Sequence, residues 1–343
     1  MDRTPARRIP GQADPAEDRQ SRLPQLPSRA PRQRGVGRGW SHMQGRIIRV
    51  SGLQCLVEVE QSHWQCKIRG RLKAGDRKTS SPVVAGDWVE IVPTAERTGI
   101  IEAVHTRSSK FSRGASGTRR FEQILFVNME QLVVVVAASQ PKPRRGFIDR
   151  AVVMAVKGNL QPVVCINKVD LVSREAVDTL TGPYEALGYP IYRTSALRGD
   201  GMDAFKAALL NRSTAVVGQS GVGKSTLLNA VEQGLGLKTK EIMKRHDRGR
   251  HTTTVVHLFK LQQGGYVADT PGVKELRLWG VKSAELAEYY PELDPLRGQC
   301  QFGDCSHLHE PGCAVRAAVA AGRISLVRYE GYRRIFESLS SDE

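Results

Sequence analysis

Eight residues, Gly218-Gln219-Ser220-Gly221-Val222-Gly223-Lys224-Ser225, fit GxxxxGK[ST] at every fixed position. The glycines let backbone N–H groups turn inward around phosphate oxygens, and a helix N-terminus adds a favourable dipole. Lys224 supplies a point charge to the β- and γ-phosphates, and the Ser225 hydroxyl can ligate Mg²⁺. The implied ligand is a nucleoside triphosphate with magnesium. A glycine-rich turn without a ligand does not account for the full pattern between a strand and a helix.

Asn167-Lys168-Val169-Asp170 bears on which nucleotide binds. The Asp170 carboxylate can accept hydrogen bonds from the N1–H and 2-amino groups of guanine, a donor pair that adenine lacks. The Lys168 stem can lie over the base, and Asn167 can tie this loop to the phosphate loop. Ser195-Ala196 follows another short strand, where a backbone N–H can meet the guanine O6. A site built on such pairs rejects an analogue lacking them by roughly 10⁴-fold.

Asp269-Thr270-Pro271-Gly272 follows the apolar run Tyr266–Ala268 and matches DxxG. In that pattern the aspartate reaches Mg²⁺ through water and the glycine N–H senses the γ-phosphate. Between it and the phosphate loop lies Gly249-Arg250-His251-Thr252-Thr253-Thr254, from which Thr252 or Thr253 is expected to close on Mg²⁺. Many GTPases place a glutamine after the DxxG glycine to orient the attacking water. Here Val273 stands there and cannot hydrogen-bond a water. His251 titrates near working pH and is the candidate to orient the water or take a proton. Its alternative roles are to contact RNA or to order the loop.

Cys300, Cys305, His307 and Cys313 place three thiols and an imidazole within 14 residues. Four protein ligands suit a closed, structural tetrahedral Zn²⁺ site. His309 is nearby, but the spacing favours His307. Arg316, Arg323, Arg328, Arg333 and Arg334 follow the knot, either to face RNA phosphate or to form a solvated helical face. Cys55, Cys66 and Cys165 are dispersed in apolar surroundings and read as buried free thiols.

The chain has 343 residues and a net charge of +16, with 51 Lys and Arg against 35 acids. That length predicts two or three domains, and the charge favours a polyanionic partner. No apolar run is long enough to span a membrane. Residues 1–42 hold nine arginines, six prolines and four acids, and read as a disordered basic arm. The arm's arginines fit an organelle transit peptide, but Asp2, Asp14, Glu17 and Asp18 argue against one, so a cytoplasmic location is expected. Nothing points to an obligate oligomer, so a monomer is expected.

Short alternating runs with glycine punctuation over 43–112 predict a small all-β barrel of the oligonucleotide-binding type. From 119 to 279, strand and helix patterns alternate, which predicts a mostly parallel α/β sheet. Residues 280–343 read as a helical, zinc-binding region. The motif order 167, 194, 218, 249, 269 is a circular permutation of the usual GTPase order. It sends the chain from the γ-phosphate sensor at Gly272 directly into the C-terminal region.

These motifs, with Glu310-Pro311-Gly312-Cys313-Ala314-Val315 and Arg328-Tyr329, resemble the ribosome small subunit-dependent GTPase A family over about residues 43–335. The resemblance implies a barrel, a permuted GTPase domain and a zinc domain. It implies late maturation of the small ribosomal subunit and its rRNA, with GTP hydrolysis stimulated by that subunit. It also implies GTP/GDP binding at 167–170 and 218–226, which includes Thr226, zinc on the same four ligands, and His251 as the hydrolytic residue. A contrasting reading is an rRNA-bound placeholder whose nucleotide site regulates affinity without turnover being required.

Overall fold

The computed structural model describes residues 42–73, 81–114, 121–232, 235, 256–270 and 276–341. The basic arm, apart from His42, lies outside them. Among the described residues, eleven strands share one hydrogen-bonded sheet.

Its first part curls into a barrel. The strands are β1 (Met43–Ser51), β2 (Gln54–Val59), β3 (Ser62–Ile68), β4 (Trp88–Ala95) and β5 (Thr98–Val104), with a short α1 (Gly70–Lys73) after β3. They run β1-β2-β3-β5-β4, and β4 returns to β1 from Met43↔Ile91 to Arg46↔Trp88. β3 and β5 are parallel and the other pairs antiparallel. Closure leaves no open edge, and five strands in this arrangement make an oligonucleotide-binding-type barrel. Ile47, Val57, Ile91 and Ile101 fill it together with Cys55 and Cys66. Burial pushes the Cys55 thiol up to about 12 and Cys66 up to about 11. Cys165, also fully buried, is pushed up to about 12. All three are neutral and shielded at working pH. The boundary drawn at 112 falls inside a strand. β6 (Lys110–Gly114) pairs with β7 (Glu122–Val127) in a separate two-stranded sheet, so the last barrel strand ends at Val104.

The α/β part comprises β8 (Gln131–Ala137), α2 (Arg145–Lys157), β9 (Gln161–Asn167), α3 (Arg174–Glu185), β10 (Ile191–Thr194), α4 (Met202–Leu209), β11 (Ser213–Gly218), α5 (Lys224–Val231), β12 (His257–Lys260) and β13 (Tyr266–Asp269). The order is β10-β9-β8-β11-β13-β12, parallel except for β12. β8 shows why both faces must be covered. Leu132, Val134 and Val136 pack with apolar residues of α2 and α3, while Val133, Val135 and Ala137 pack with those of α4 and α5. The parallel strands β10, β9, β8, β11 and β13 end along one edge of the sheet, where an α/β sheet forms its binding crevice. β12 also pairs with β1 at His257↔Arg49, which joins the barrel to this sheet.

After the sheet come two 3₁₀ turns, Ser283–Tyr289 and Asp294–Leu296, then α6 (Ala314–Ala320) and α7 (Leu326–Ser340). One arginine placed provisionally on a phosphate-facing or solvated surface is elsewhere. Arg316, Arg323, Arg333 and Arg334 are exposed, but Arg328 is only 1% exposed. Its guanidinium pairs with Asp149 of α2, donates from Nε to Glu292 at 2.8 Å, and lies over the Tyr184 and Tyr290 rings. Tyr184 donates to the same Asp149 at 3.0 Å. A Cβ on Gly331 would sit 2.5 Å from Asp149 Oδ2, so the helices meet here only because residue 331 is glycine. Burial drives the Asp149 pKa up and Arg328 opposes it. Removing the guanidinium leaves two buried carboxylates without their cation. Arg328→Met is therefore expected to cost about 3–5 kcal/mol of stability. A urea melt checks this, and an unshifted midpoint would show that the cluster is not structural.

Candidate functional site

β11 ends at Gly218 and α5 starts at Lys224, so the phosphate loop spans the strand–helix junction. Gly223 has φ +96°, and a Cβ there would lie 2.4 Å from Asn167 Nδ2. Only glycine combines that backbone with that contact. Lys224 is buried and donates to the Gly218 carbonyl at 2.8 Å, which curls it back along the loop. Ser225 and Thr226 stand half-buried in the first turn of α5. Gln219, Ser220, Gly221 and Val222 complete the loop.

Asn167 ends β9 at 2% exposure. Its Nδ2 donates to the Val222 carbonyl at 3.0 Å, and its Oδ1 accepts from the Ala196 N–H at 3.2 Å and from Thr194 Oγ1 at 3.3 Å. One amide thus joins the loops at 167–170, 194–196 and 218–225. Lys168, at φ +63°, donates to the carbonyls of Gly221 at 2.7 Å and Gln140 at 2.6 Å. Val169 opens a 3₁₀ turn that holds Asp170 half-buried. A hydrogen bond from the buried Ser195 hydroxyl holds the Asp170 carboxyl below its ordinary pKa, with Arg198 adding positive charge 3.9 Å away. Nothing in the sequence marked Gln140 or Arg198, because the one acts through a main-chain oxygen and the other lies outside any fixed motif position.

Asp269 ends β13 opposite Val216 of β11. Burial pushes its carboxyl up to about 6, partly opposed by Lys224. Among the described residues Oδ1 is buried without a hydrogen-bond partner, which fits a hydrated Mg²⁺ beside the phosphate loop. Thr270 Oγ1 donates to the Val216 carbonyl at 3.0 Å and fixes the strand's exit. His251, Thr252, Thr253 and Gly272 lie outside the described residues.

The second cluster is in the C-terminal region. The ligand atoms of Cys300, Cys305, His307 and Cys313 all lie within 4.8 Å of one another. Cys300 and Cys313 sulfurs are 3.9 Å apart, and each is 3.5 Å from His307 Nδ1. Tetrahedral bonds of about 2.3 Å to sulfur require sulfurs ~3.8 Å apart, so the residues fit a single metal ion. His309 is exposed and outside the cluster. The Glu310 carboxylate accepts N–H bonds from Ser306, Leu308 and His309, and so anchors the turn that presents His307. Tyr329 and Tyr332 of α7 donate to the carbonyls of His307 at 2.7 Å and Ser306 at 2.9 Å.

Comparison with known proteins places this arrangement. The family model described as RsgA GTPase matches residues 104–279, and the RsgA N-terminal domain matches 44–101. The chain belongs to the RsgA GTPase family. A relative from Gemmatimonas aurantiaca, named small ribosomal subunit biogenesis GTPase RsgA, is 40% identical over 86% of this chain and 97% of its own. One of the same name from Moorella thermoacetica is 40% identical over 84% and 95%. The crystal structure of YjeQ from Thermotoga maritima aligns with a TM-score of 0.72 at 34% identity, covering 87% of this chain and 99% of that one. YloQ, described as a circularly permuted GTPase, aligns with a TM-score of 0.67 at 27% identity, covering 90% and 99%.

In this RsgA GTPase the raised Asp269 pKa has two opposite consequences. Without ligand, the folded state holds the carboxyl proton more tightly than the unfolded chain. Its contribution to stability is full below the ordinary value of 3.8 and is lost as pH rises through about 6. The role expected of Asp269 toward Mg²⁺ with GTP needs the ionised carboxylate. Magnesium-dependent GTP affinity is therefore expected to weaken as pH falls through about 6. Fluorescent-GTP titrations on either side of that value, with Asp269→Asn as the comparison, check it. The asparagine variant should lose this pH step.

Proposed function

We propose that this protein hydrolyses GTP to GDP and phosphate on the small ribosomal subunit, late in that subunit's maturation, and that the subunit stimulates turnover. The observation that carries the reading is Asn167, whose one amide locks the guanine-reading loop, the Ser195-Ala196 loop and the phosphate loop together in a chain of the RsgA GTPase family. Relatives that match most of the chain are named for small ribosomal subunit biogenesis.

Asp170 selects guanine, with Lys168 against the base and the Ala196 N–H near O6. The loop 218–226 and Lys224 hold the phosphates. Bound Mg²⁺ would neutralise developing phosphate charge, held through Ser225, Asp269 and Thr252 or Thr253. Gly272 senses the γ-phosphate, and His251 orients the attacking water in place of the missing glutamine. Zn²⁺ is the structural ion for Cys300, Cys305, His307 and Cys313. The domains are a barrel up to about 104–110, a permuted GTPase unit to about 279 and a zinc-binding region beyond. The protein acts as a monomer where ribosomes are assembled. A groove of about 630 Å³ on the barrel, lined by Arg49, Gln54, Gln65 and Lys67, is suited to the phosphates and base edges of rRNA.

The test is GTP hydrolysis with and without small ribosomal subunits. Stimulation of tenfold or more is expected from small subunits and not from large ones, with ATP failing to compete. His251→Ala is expected to bind GTP nearly normally and to lose stimulated turnover by roughly 10²-fold. Unstimulated turnover would refute the reading, and unchanged turnover in the variant would remove His251 from the mechanism.

A further inference from the structure

We propose that the barrel is part of the hydrolytic machinery: through Arg46 and Glu58 it sets the register of β11 against β13, and so the position of Asp269 beside the phosphate loop. This rests on the reading that the loop 218–226 and Asp269 bind GTP and magnesium.

The strands concerned are too short to hold register alone. β12 and β13 are four residues each, and a slip of one residue turns every side chain to the opposite face. β11 and β13 pair from Ser213↔Tyr266 to Val216↔Asp269. Arg46, a β1 residue 3% exposed, reaches both members of the first pair. Its Nη1 donates to Ser213 Oγ at 3.0 Å, and its guanidinium lies 4.5 Å from the centre of the Tyr266 ring. Nη2 donates to the Asn128 carbonyl at 2.8 Å, and the Trp88 ring is 5.4 Å away. One barrel side chain thus indexes the strand that enters the phosphate loop and the strand that carries Asp269.

Glu58 of β2 makes the second contact. It accepts from the Tyr266 hydroxyl at 2.8 Å and from Lys260 Nζ at 2.6 Å. Lys260↔Tyr266 is the end of the β12–β13 hairpin away from Asp269. The hydrogen bond to Glu58 raises the Lys260 pKa, so the ammonium stays charged at working pH. At the opposite end, His257 pairs with Arg49 of β1 and lies three residues beyond Thr254. The barrel therefore grips the hairpin between the two segments that must close on the γ-phosphate. Barrel packing alone needs none of these contacts. Arg46 is a charged side chain buried between strands of the nucleotide-binding sheet, where an aliphatic residue would pack at lower desolvation cost.

The experiment is titration of fluorescent GDP and a non-hydrolysable GTP analogue against the full-length protein, over a range of Mg²⁺ concentrations. Arg46→Met is expected to raise the Mg²⁺ needed for half-maximal analogue binding by ~10-fold, with GDP affinity in EDTA changed less than about twofold. Arg46→Lys, which keeps the cation but not the two-pronged donor, should fall between. Glu58→Gln keeps the shape and an acceptor, removes the charge beside Lys260, and should shift the Mg²⁺ requirement the same way by ~3-fold. An unchanged Mg²⁺ requirement in folded Arg46→Met and Glu58→Gln would overturn the proposal. So would equal losses of GDP and analogue affinity, which mark a general loss of structure. If the unsubstituted protein binds neither nucleotide, the GTPase reading fails and the proposal falls with it.

Discussion

Asp170→Asn is expected to lower GTP affinity by roughly 10³-fold and to shift preference toward xanthosine triphosphate. In its proposed role the carboxylate accepts from two guanine donors at once, N1–H and the 2-amino group. An asparagine amide keeps one acceptor and replaces the other with a donor, which meets the guanine amino group donor to donor. Xanthine carries a carbonyl at that position, so the same amide becomes complementary to it. The surroundings preserve the loop while the chemistry changes. The Ser195 hydroxyl that bonds Asp170 can bond an amide oxygen, and Asn167 still ties the loop to Val222 and Ala196. Arg198 loses its charged partner but is largely exposed, so little stability depends on it. Fluorescent-nucleotide titrations with GTP, xanthosine triphosphate and ATP separate the outcomes. A variant that still prefers GTP would mean that Asp170 does not read the base.

The parts of this site legible in the sequence are those whose chemistry requires a fixed local spacing. The phosphate loop needs its glycines and Lys224 within eight residues, so β11, the turn and α5 could be drawn before any coordinates. The cysteine–histidine knot is local for the same reason. The apolar run Gln131 to Ala138 announces a buried strand by apolar content alone, and β8 occupies all but its last residue. Other parts depend on partners far along the chain. β12 has four residues and one periodic apolar position, too few to show a period. β5 joins the barrel by a parallel pairing with β3, which no local turn chemistry encodes. Arg328 belongs to a run of basic residues that reads as facing RNA phosphate or solvent. Its burial depends on Asp149, 179 residues earlier, and on a glycine three positions later that admits α2. Asn128 matched no motif, yet its side chain holds Ser108 and Gly86 while its carbonyl receives Arg46. His251, Thr252, Thr253 and Gly272 fall outside the described residues, so their roles stand on spacing and chemistry.

The permuted order gives the C-terminal region two connections to the nucleotide site: the covalent one that leaves Gly272, and the Arg328–Asp149 contact between α7 and α2. Metal removal tests how they divide the work. Stripping the ion is expected to release stabilisation of about 10–16 kcal/mol in apparent terms, enough to unfold the knot. Without a cation between them, the three cysteines and the imidazole, crowded within 4.8 Å, repel as thiolates or must take up protons. Cys313 also accepts the Arg316 N–H at the start of α6, and Tyr329 and Tyr332 hold α7 to the knot through its carbonyls. The loss should therefore spread through α6 and the near end of α7. It should spare the Arg328 guanidinium, whose partners lie outside the knot on α2 and at Glu292. With a strong chelator, the near-ultraviolet circular dichroism of Tyr329 and Tyr332, which are hydrogen-bonded to the knot, should collapse. GDP affinity should stay within about threefold, because sites that share no partners behave additively. Re-addition of Zn²⁺ should restore the signal. An unchanged tyrosine signal in protein shown by elemental analysis to be metal-free would refute a structural ion. A parallel collapse of GDP binding would instead mean that the knot and the nucleotide site fold as one cooperative unit through the Arg328 contact.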